Sequence, residues 1–198
     1  MGADAPKAFV RCAGRELWEW SADVLEEVCD RVIFAVPPGM ADPDAHPVRI
    51  AGGASRSESV RNGLAAVPEA DIAVVHDAAR PLVTAELVRR CVAEVEAGWD
   101  GAIAAARVSD TVKEADADMR VTRTLDRSLL WAVQTPQAFR ADVLRRALAV
   151  DAQALAAATD DAALVEAAGG SVRIVEAPRR NLKVTGSDDL KLAEALLC

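Results

Sequence analysis

Short apolar runs alternate with helix-length segments along this chain, and that alternation restricts the folds open to it more than any other feature. Val32 to Val36, Val48 to Ala51, Ile72 to Val75, Ala102 to Val108 and Val172 to Val175 are mostly apolar runs of strand length. Runs of this kind suit strands covered on both faces. Between them, Arg15 to about Asp30, Ser55 to Val67, Thr84 to about Ala97, Ala141 to Val150, Thr159 to Ala168 and Ser187 to Leu197 read as helices. In the first of these, Leu17, Trp20, Val24, Leu25 and Val28 keep one face apolar. Ser55-Arg56-Ser57-Glu58 has capping-box spacing, Thr159 is the expected N-cap of its helix, and Gly169-Gly170 is the stop. Leu182 to Thr185 is expected to add a short strand. Strands alternating with helices predict an α/β fold with a mostly parallel, twisted sheet flanked by helices.

One stretch departs from the pattern. From Ser109 to Gln134 the helical rhythm is lost, and Val121, Thr122, Thr124 and Leu130 to Val133 look extended around Asp126-Arg127. We read residues 109–136 as a protruding β-arm, with Gln134-Thr135-Pro136-Gln137 as a loop. The 198-residue chain as a whole suits a single domain, 1–198.

Composition excludes several function classes. The formal net charge of −8 argues against binding nucleic acid, whose phosphates require a basic surface. No apolar run approaches the ~20 residues of a membrane helix, and nothing resembles a signal peptide. Cys12, Cys29, Cys91 and Cys198 are scattered without metal spacing, which suits reduced thiols and a cytoplasmic location. With His46 and His76 as its histidines, the chain does not offer a histidine-rich zinc site.

The candidate chemistry lies where strands hand over to helices. Asp77 falls just past the carboxyl end of the Ile72–Val75 run, the edge of an open α/β sheet where ligands collect. A carboxylate there suits a metal ion bound to phosphates, and Arg80 offers a fork of donors for an anion. His-Asp and Arg-Pro pairs are also common in plain turns. Gly52-Gly53 lets a backbone approach a flat ligand ahead of the helix N-terminus at Ser55, though it equally suits a tight turn. Lys183 sits in an apolar setting, where a cation is costly unless it is paired or faces a ligand.

Taken in order, PKAF, GGASRSESV, VVHDAARP, RTLDR, LLWAVQTPQAF, TDDAALVEAAG and NLKVTGSDDL resemble the 2-C-methyl-D-erythritol 4-phosphate cytidylyltransferase family over nearly the whole chain. The resemblance implies a Rossmann-like nucleotidyltransferase fold and a homodimer that exchanges contacts through the β-arm. It implies transfer of CMP from CTP to the polyol phosphate with Mg²⁺, releasing pyrophosphate, in non-mevalonate isoprenoid precursor synthesis. By motif position, Lys7 and Lys183 are the lysines that stabilise charge on the transferring phosphate. Gly53 and Ser59 fall on the cytosine side, with Arg56 also on the nucleotide. Asp77 is the carboxylate for Mg²⁺ and substrate, and Arg80, Thr124 and Thr159 are substrate-side residues, with Thr124 reaching the partner subunit's site. Thr135 also fits a motif position. Ala54 stands where some members carry an acidic contact to the base. His76 is expected to be structural, bonded to backbone.

Two other readings share these motifs: a ribitol 5-phosphate cytidylyltransferase, and a catalytically impaired paralogue acting as a binding or dimerisation module. The resemblance also implies an N-terminal apolar strand and a Gly-rich loop, AAGxGxR in outline, around the triphosphate, and neither is found ahead of Lys7. That strand would be central, so its absence is expected to open two sheet edges and an apolar slot. The chain as written is therefore expected to turn CTP over weakly or not at all, and an upstream extension to restore activity.

Overall fold

A computed structural model describes residues 7–198. A two-residue hairpin, β1 (Arg11–Cys12) and β2 (Arg15–Glu16), leads into α1 (Leu17–Glu26). There follow β3 (Ile33–Val36), β4 (Val48–Ala51), α2 (Arg56–Ala65), β5 (Ile72–Val75), α3 (Ala85–Glu96) and β6 (Gly101–Arg107). The second half contains β7 (Lys113–Ala115), β8 (Val121–Thr124), β9 (Trp131–Arg140), α4 (Ala141–Ala147), α5 (Ala152–Ala157), α6 (Asp161–Ala167), β10 (Val172–Glu176) and α7 (Ser187–Leu197). The α/β expectation holds, with one qualification. β6 and β10 are parallel, as are β3 and β4, but β9 runs antiparallel to both of its neighbours in the order β10-β6-β9-β5, so the sheet is mixed.

Side-chain alternation on β6 and β9 builds a core on each sheet face. Ile103 and Phe139 face Leu64, Leu144, Leu148, Leu155 and Val165 from the helices α2, α4, α5 and α6. Ala102, Ala104 and Ala138 point the other way, onto Leu87, Cys91 and Val95 of α3. Small residues on that face let α3 lie close to the sheet. Cys12, Leu17, Val184 and Ala193 join the N-terminal hairpin to α7.

Three sequence-based boundaries are corrected. Gln134 to Gln137 is not a loop but lies inside β9, fully or nearly buried. The proline is tolerated because Ile103 pairs with Gln137 and Ala105 with Val133, so the residues between bulge opposite Ala104 and need make no ladder bonds. Leu182 to Thr185 is not a strand and joins no ladder; Val184 N–H donates to Ala79 O at 2.8 Å. The N-cap of α6 is Asp160, whose Oδ1 accepts from Ala163 N at 2.9 Å, and not Thr159, which is exposed.

Between β3 and β5 there is a cleft of about 740 Å³, lined by Ile33 to Ala35 on one side and by Ile72 to Asp77 on the other. Among the described residues neither strand has a ladder partner on that side. The cleft runs from Val28 and Glu69 up to Arg56 and Asp77.

Candidate active site

The carboxyl end of β5 delivers Asp77 into a ring of cations. Its Oδ2 lies 2.9 Å from Lys183 Nζ and 3.6 Å from Arg80 Nε, and its Oδ1 lies 3.3 Å from Arg56 Nε. Burial works to raise the Asp77 carboxyl, but Arg56, Lys183 and Arg80 outweigh it and hold it below the usual carboxylate range. Arg56 also reaches Asp161, its Nη1 donating to Oδ2 at 2.6 Å. Arg56 is the first residue of α2, placed there by the Ser55 cap, whose hydroxyl accepts from Glu58 N at 3.1 Å.

Two buried amides tie the loops together. Asn181 Nδ2 donates to Gln134 Oε1 and to Thr135 O, each at 2.9 Å, while Arg80 Nη1 donates to Asn181 O at 2.9 Å. Gln137 Nε2 donates to Asp160 Oδ2 at 2.9 Å, linking β9 to the start of α6. The segments HDAARP, QTPQ, TDD and NLKVT are thus one connected unit.

His76 has the structural place expected of it, and its tautomer follows from its partners. Arg80 O, 3.2 Å from Nε2, can only accept, so Nε2 carries the proton. Nδ1 then accepts from Thr135 Oγ1–H at 3.1 Å, and that oxygen accepts from Asp77 N–H at 3.0 Å. The chain of bonds fixes both ends of the Asp77–Arg80 turn. Burial drives the imidazole pKa from 6.5 down to about 4, against the bond to Arg80 and the nearby Asp77 charge. A base whose folded pKa is depressed contributes its stability fully above the unfolded value and loses it as pH falls. Relative to a His76→Gln variant, the parent is therefore expected to lose up to about 3 kcal/mol between about pH 7 and pH 4. Urea unfolding of both proteins across that range checks this; parallel curves would show that His76 stays neutral in neither state.

The remaining candidates are placed as follows. Lys7 Nζ donates to Thr185 O at 3.2 Å, beside the segment that carries Lys183. Ser59 Oγ accepts from Gly53 N at 3.0 Å, and Glu58 Oε2 accepts from Ala54 N at 2.8 Å. A side chain at position 53 would collide with Glu58, which is reason enough for a glycine there. Thr124 is exposed on β8, where its Oγ1 accepts from Lys113 Nζ at 2.7 Å; no hydrogen bond joins it to the Asp77 cluster. Thr159 likewise makes no such bond among the described residues. The sequence reading missed Asp161, whose acid at a helix start looks like ordinary compensation of the helix dipole. It also missed Asn181 and Gln134 as the links between motifs.

The family model for 2-C-methyl-D-erythritol 4-phosphate cytidylyltransferase matches residues 1–198. A protein of that name from Nocardia farcinica is 45% identical over 206 residues, covering 100% of this chain and 88% of its own length. Another, from Rubrobacter xylanophilus, is 54% identical over 147 residues, covering 73% of this chain and 63% of its own length. The crystal structure of 2-C-methyl-D-erythritol 4-phosphate cytidylyltransferase from Thermus thermophilus superposes with a TM-score of 0.86 at 36% identity, covering 97% of this chain and 94% of that one.

Proposed function

Since the chain belongs to the 2-C-methyl-D-erythritol 4-phosphate cytidylyltransferase family, we propose that it transfers CMP from CTP to 2-C-methyl-D-erythritol 4-phosphate and releases pyrophosphate. The observation that carries the reading is the Asp77 cluster, in which Arg56, Arg80 and Lys183 surround one carboxylate at a strand's carboxyl end. In the reaction a phosphate oxygen of the polyol forms a bond to the α-phosphorus of CTP, and the bond from that phosphorus to the bridging α–β oxygen breaks. The phosphate dianion is already a nucleophile, so no general base is needed. Catalysis is positioning plus stabilisation of charge.

In this reading Lys183 and Lys7 face the transferring phosphate, Arg80 the polyol phosphate, and Arg56 the nucleotide. The cytosine lies over Gly53 and Ser59. Asp77 holds the cations together and in register until anions replace it as their partner. Thr159 is exposed beside the start of α6, on the substrate side in this reading. Mg²⁺ fits Asp77 as an ion held by one protein carboxylate and completed by phosphate oxygens, the usual manner for this cation. No group of three or more potential metal ligands exists among the described residues. When bound, the ion neutralises phosphate charge.

The homodimer is part of the same reading. β7 and β8 form an exposed two-stranded ladder, and Met119, Val121, Leu129 and Val133 leave apolar surface on and beside it, with Met119 83% exposed. Thr124 on this ladder serves the partner subunit's site. A cytoplasmic setting suits the free cysteines Cys12, Cys29, Cys91 and Cys198. No helix among the described residues is long and apolar enough to cross a membrane.

Pyrophosphate release from CTP with either polyol phosphate tests the substrate assignment. Release with 2-C-methyl-D-erythritol 4-phosphate is expected to exceed that with ribitol 5-phosphate by about tenfold or more in kcat/KM, the scale of a few well-placed contacts. The reverse preference would assign the chain to the ribitol reaction.

A further inference from the structure

We propose that Asp161 is a positioning residue for the transfer reaction, acting through Arg56 and not on the substrate; this rests on the cytidylyltransferase reading above. Asp161 is 0% exposed, with Oδ2 on Arg56 Nη1 at 2.6 Å and Oδ1 buried without any partner. Arg56 turns its Nε to Asp77 Oδ1 at 3.3 Å, so one planar guanidinium spans two carboxylates. Two attachments on a planar group fix its orientation as well as its position. The edge bearing Nη2 makes no hydrogen bond to the described residues, and Arg56 lines the cleft.

A buried carboxylate with an unpartnered oxygen is costly, and holding an arginine in place does not by itself require one, since backbone carbonyls do so elsewhere in this chain for Arg145. What the charge adds is a counterweight. With Asp161 ionised, Arg56 is shared between two anions; without it, the whole guanidinium charge falls on Asp77 and draws the arginine onto the carboxylate that phosphates must displace. The fold maintains the arrangement from both sides. Arg56 and Asp161 open α2 and α6, and Asp160 ties the second helix to Gln137 of β9. Burial raises the Asp161 carboxyl above its usual range, and the charge of Arg56 opposes that rise.

The test is a double-mutant cycle of Asp161→Asn and Arg56→Gln, measured well below each variant's melting temperature. Asp161→Asn is expected to lower kcat by about tenfold or more with KM for the polyol phosphate changed less than about threefold, and to add less than about twofold in the Arg56→Gln background. Arg56→Lys, which keeps the charge but cannot span both carboxylates, is expected to lower kcat similarly and serves if Asp161→Asn does not fold. Unchanged kcat in either single variant, or losses that multiply in the double variant, would overturn the proposal. If the parent turns over neither polyol phosphate, the function reading fails separately, and the same cycle is then measured on tripolyphosphate affinity by calorimetry. Non-additive losses there uphold the link between Asp161 and Arg56, and additive ones overturn it.

Discussion

Asp77→Asn is expected to lower kcat by about a hundredfold to a thousandfold, the largest effect on activity of any single substitution in this chain. The side chain keeps its shape but loses the charge that three cations share. Arg80 would suffer most, because its Nε is buried with no hydrogen-bond partner and depends on the ion pair at 3.6 Å. Arg56 and Lys183 are more exposed and find water. The cation cluster should then repel itself and lose its register, so that phosphates meet displaced donors. Rates of pyrophosphate release, with circular dichroism to confirm the fold, check the expectation; a loss below about fivefold would remove Asp77 from the centre of the site.

For stability the largest expected effect lies at Phe139. Its ring is fully buried at the junction of β9 with the helical layer of α4 and α6, packed so closely on β6 that a side-chain carbon at Gly101 would come within 2.6 Å of it. Phe139→Ala removes the ring and leaves a cavity that rigid strands on both sides cannot close. The cost is expected to be about 3–5 kcal/mol, measured by urea unfolding. A cost near 1 kcal/mol would mean that Ile103, Leu144 and Val165 collapse into the space.

These two residues also mark what was legible in the sequence. Asp77 was readable because the Ile72–Val75 run is uninterrupted and an acid follows it two residues on; a strand's end and its first loop residues are the most local of signals. The cap at Ser55 was readable for the same reason, its hydroxyl accepting from the backbone three residues on; Thr84, read only as a helix start, caps α3 in the same way. Phe139 was hidden by its neighbours. Gln134, Thr135 and Pro136 argue against a strand, and only the bulge against β6, a non-local pairing, makes room for them. Thr159 and Asp160 are both good caps one residue apart, and the choice between them was made by Gln137 reaching Asp160 from another strand.

The site was legible as separate motifs and not as a network. Nothing local to Asn181 announces that its amide will bridge to Gln134 and Thr135, residues 47 and 46 positions away. Nor does a TDDAA run distinguish an acid that compensates a helix dipole from one that faces an arginine 105 positions away. Lys183 was flagged because a cation in an apolar segment needs a partner, and the partner is Asp77. Thr124 lies outside the cluster, exposed on β8 and bonded to Lys113.

The most direct measurement of the central claim is label transfer from CTP carrying ³²P at the α-position, incubated with the chain, Mg²⁺ and 2-C-methyl-D-erythritol 4-phosphate. The account predicts label in a cytidine diphosphate ester of the polyol, with unlabelled pyrophosphate released in equal amount and both abolished by Asp77→Asn. Pyrophosphate release with no label in the ester, or labelled ester formed equally well by Asp77→Asn, would contradict it.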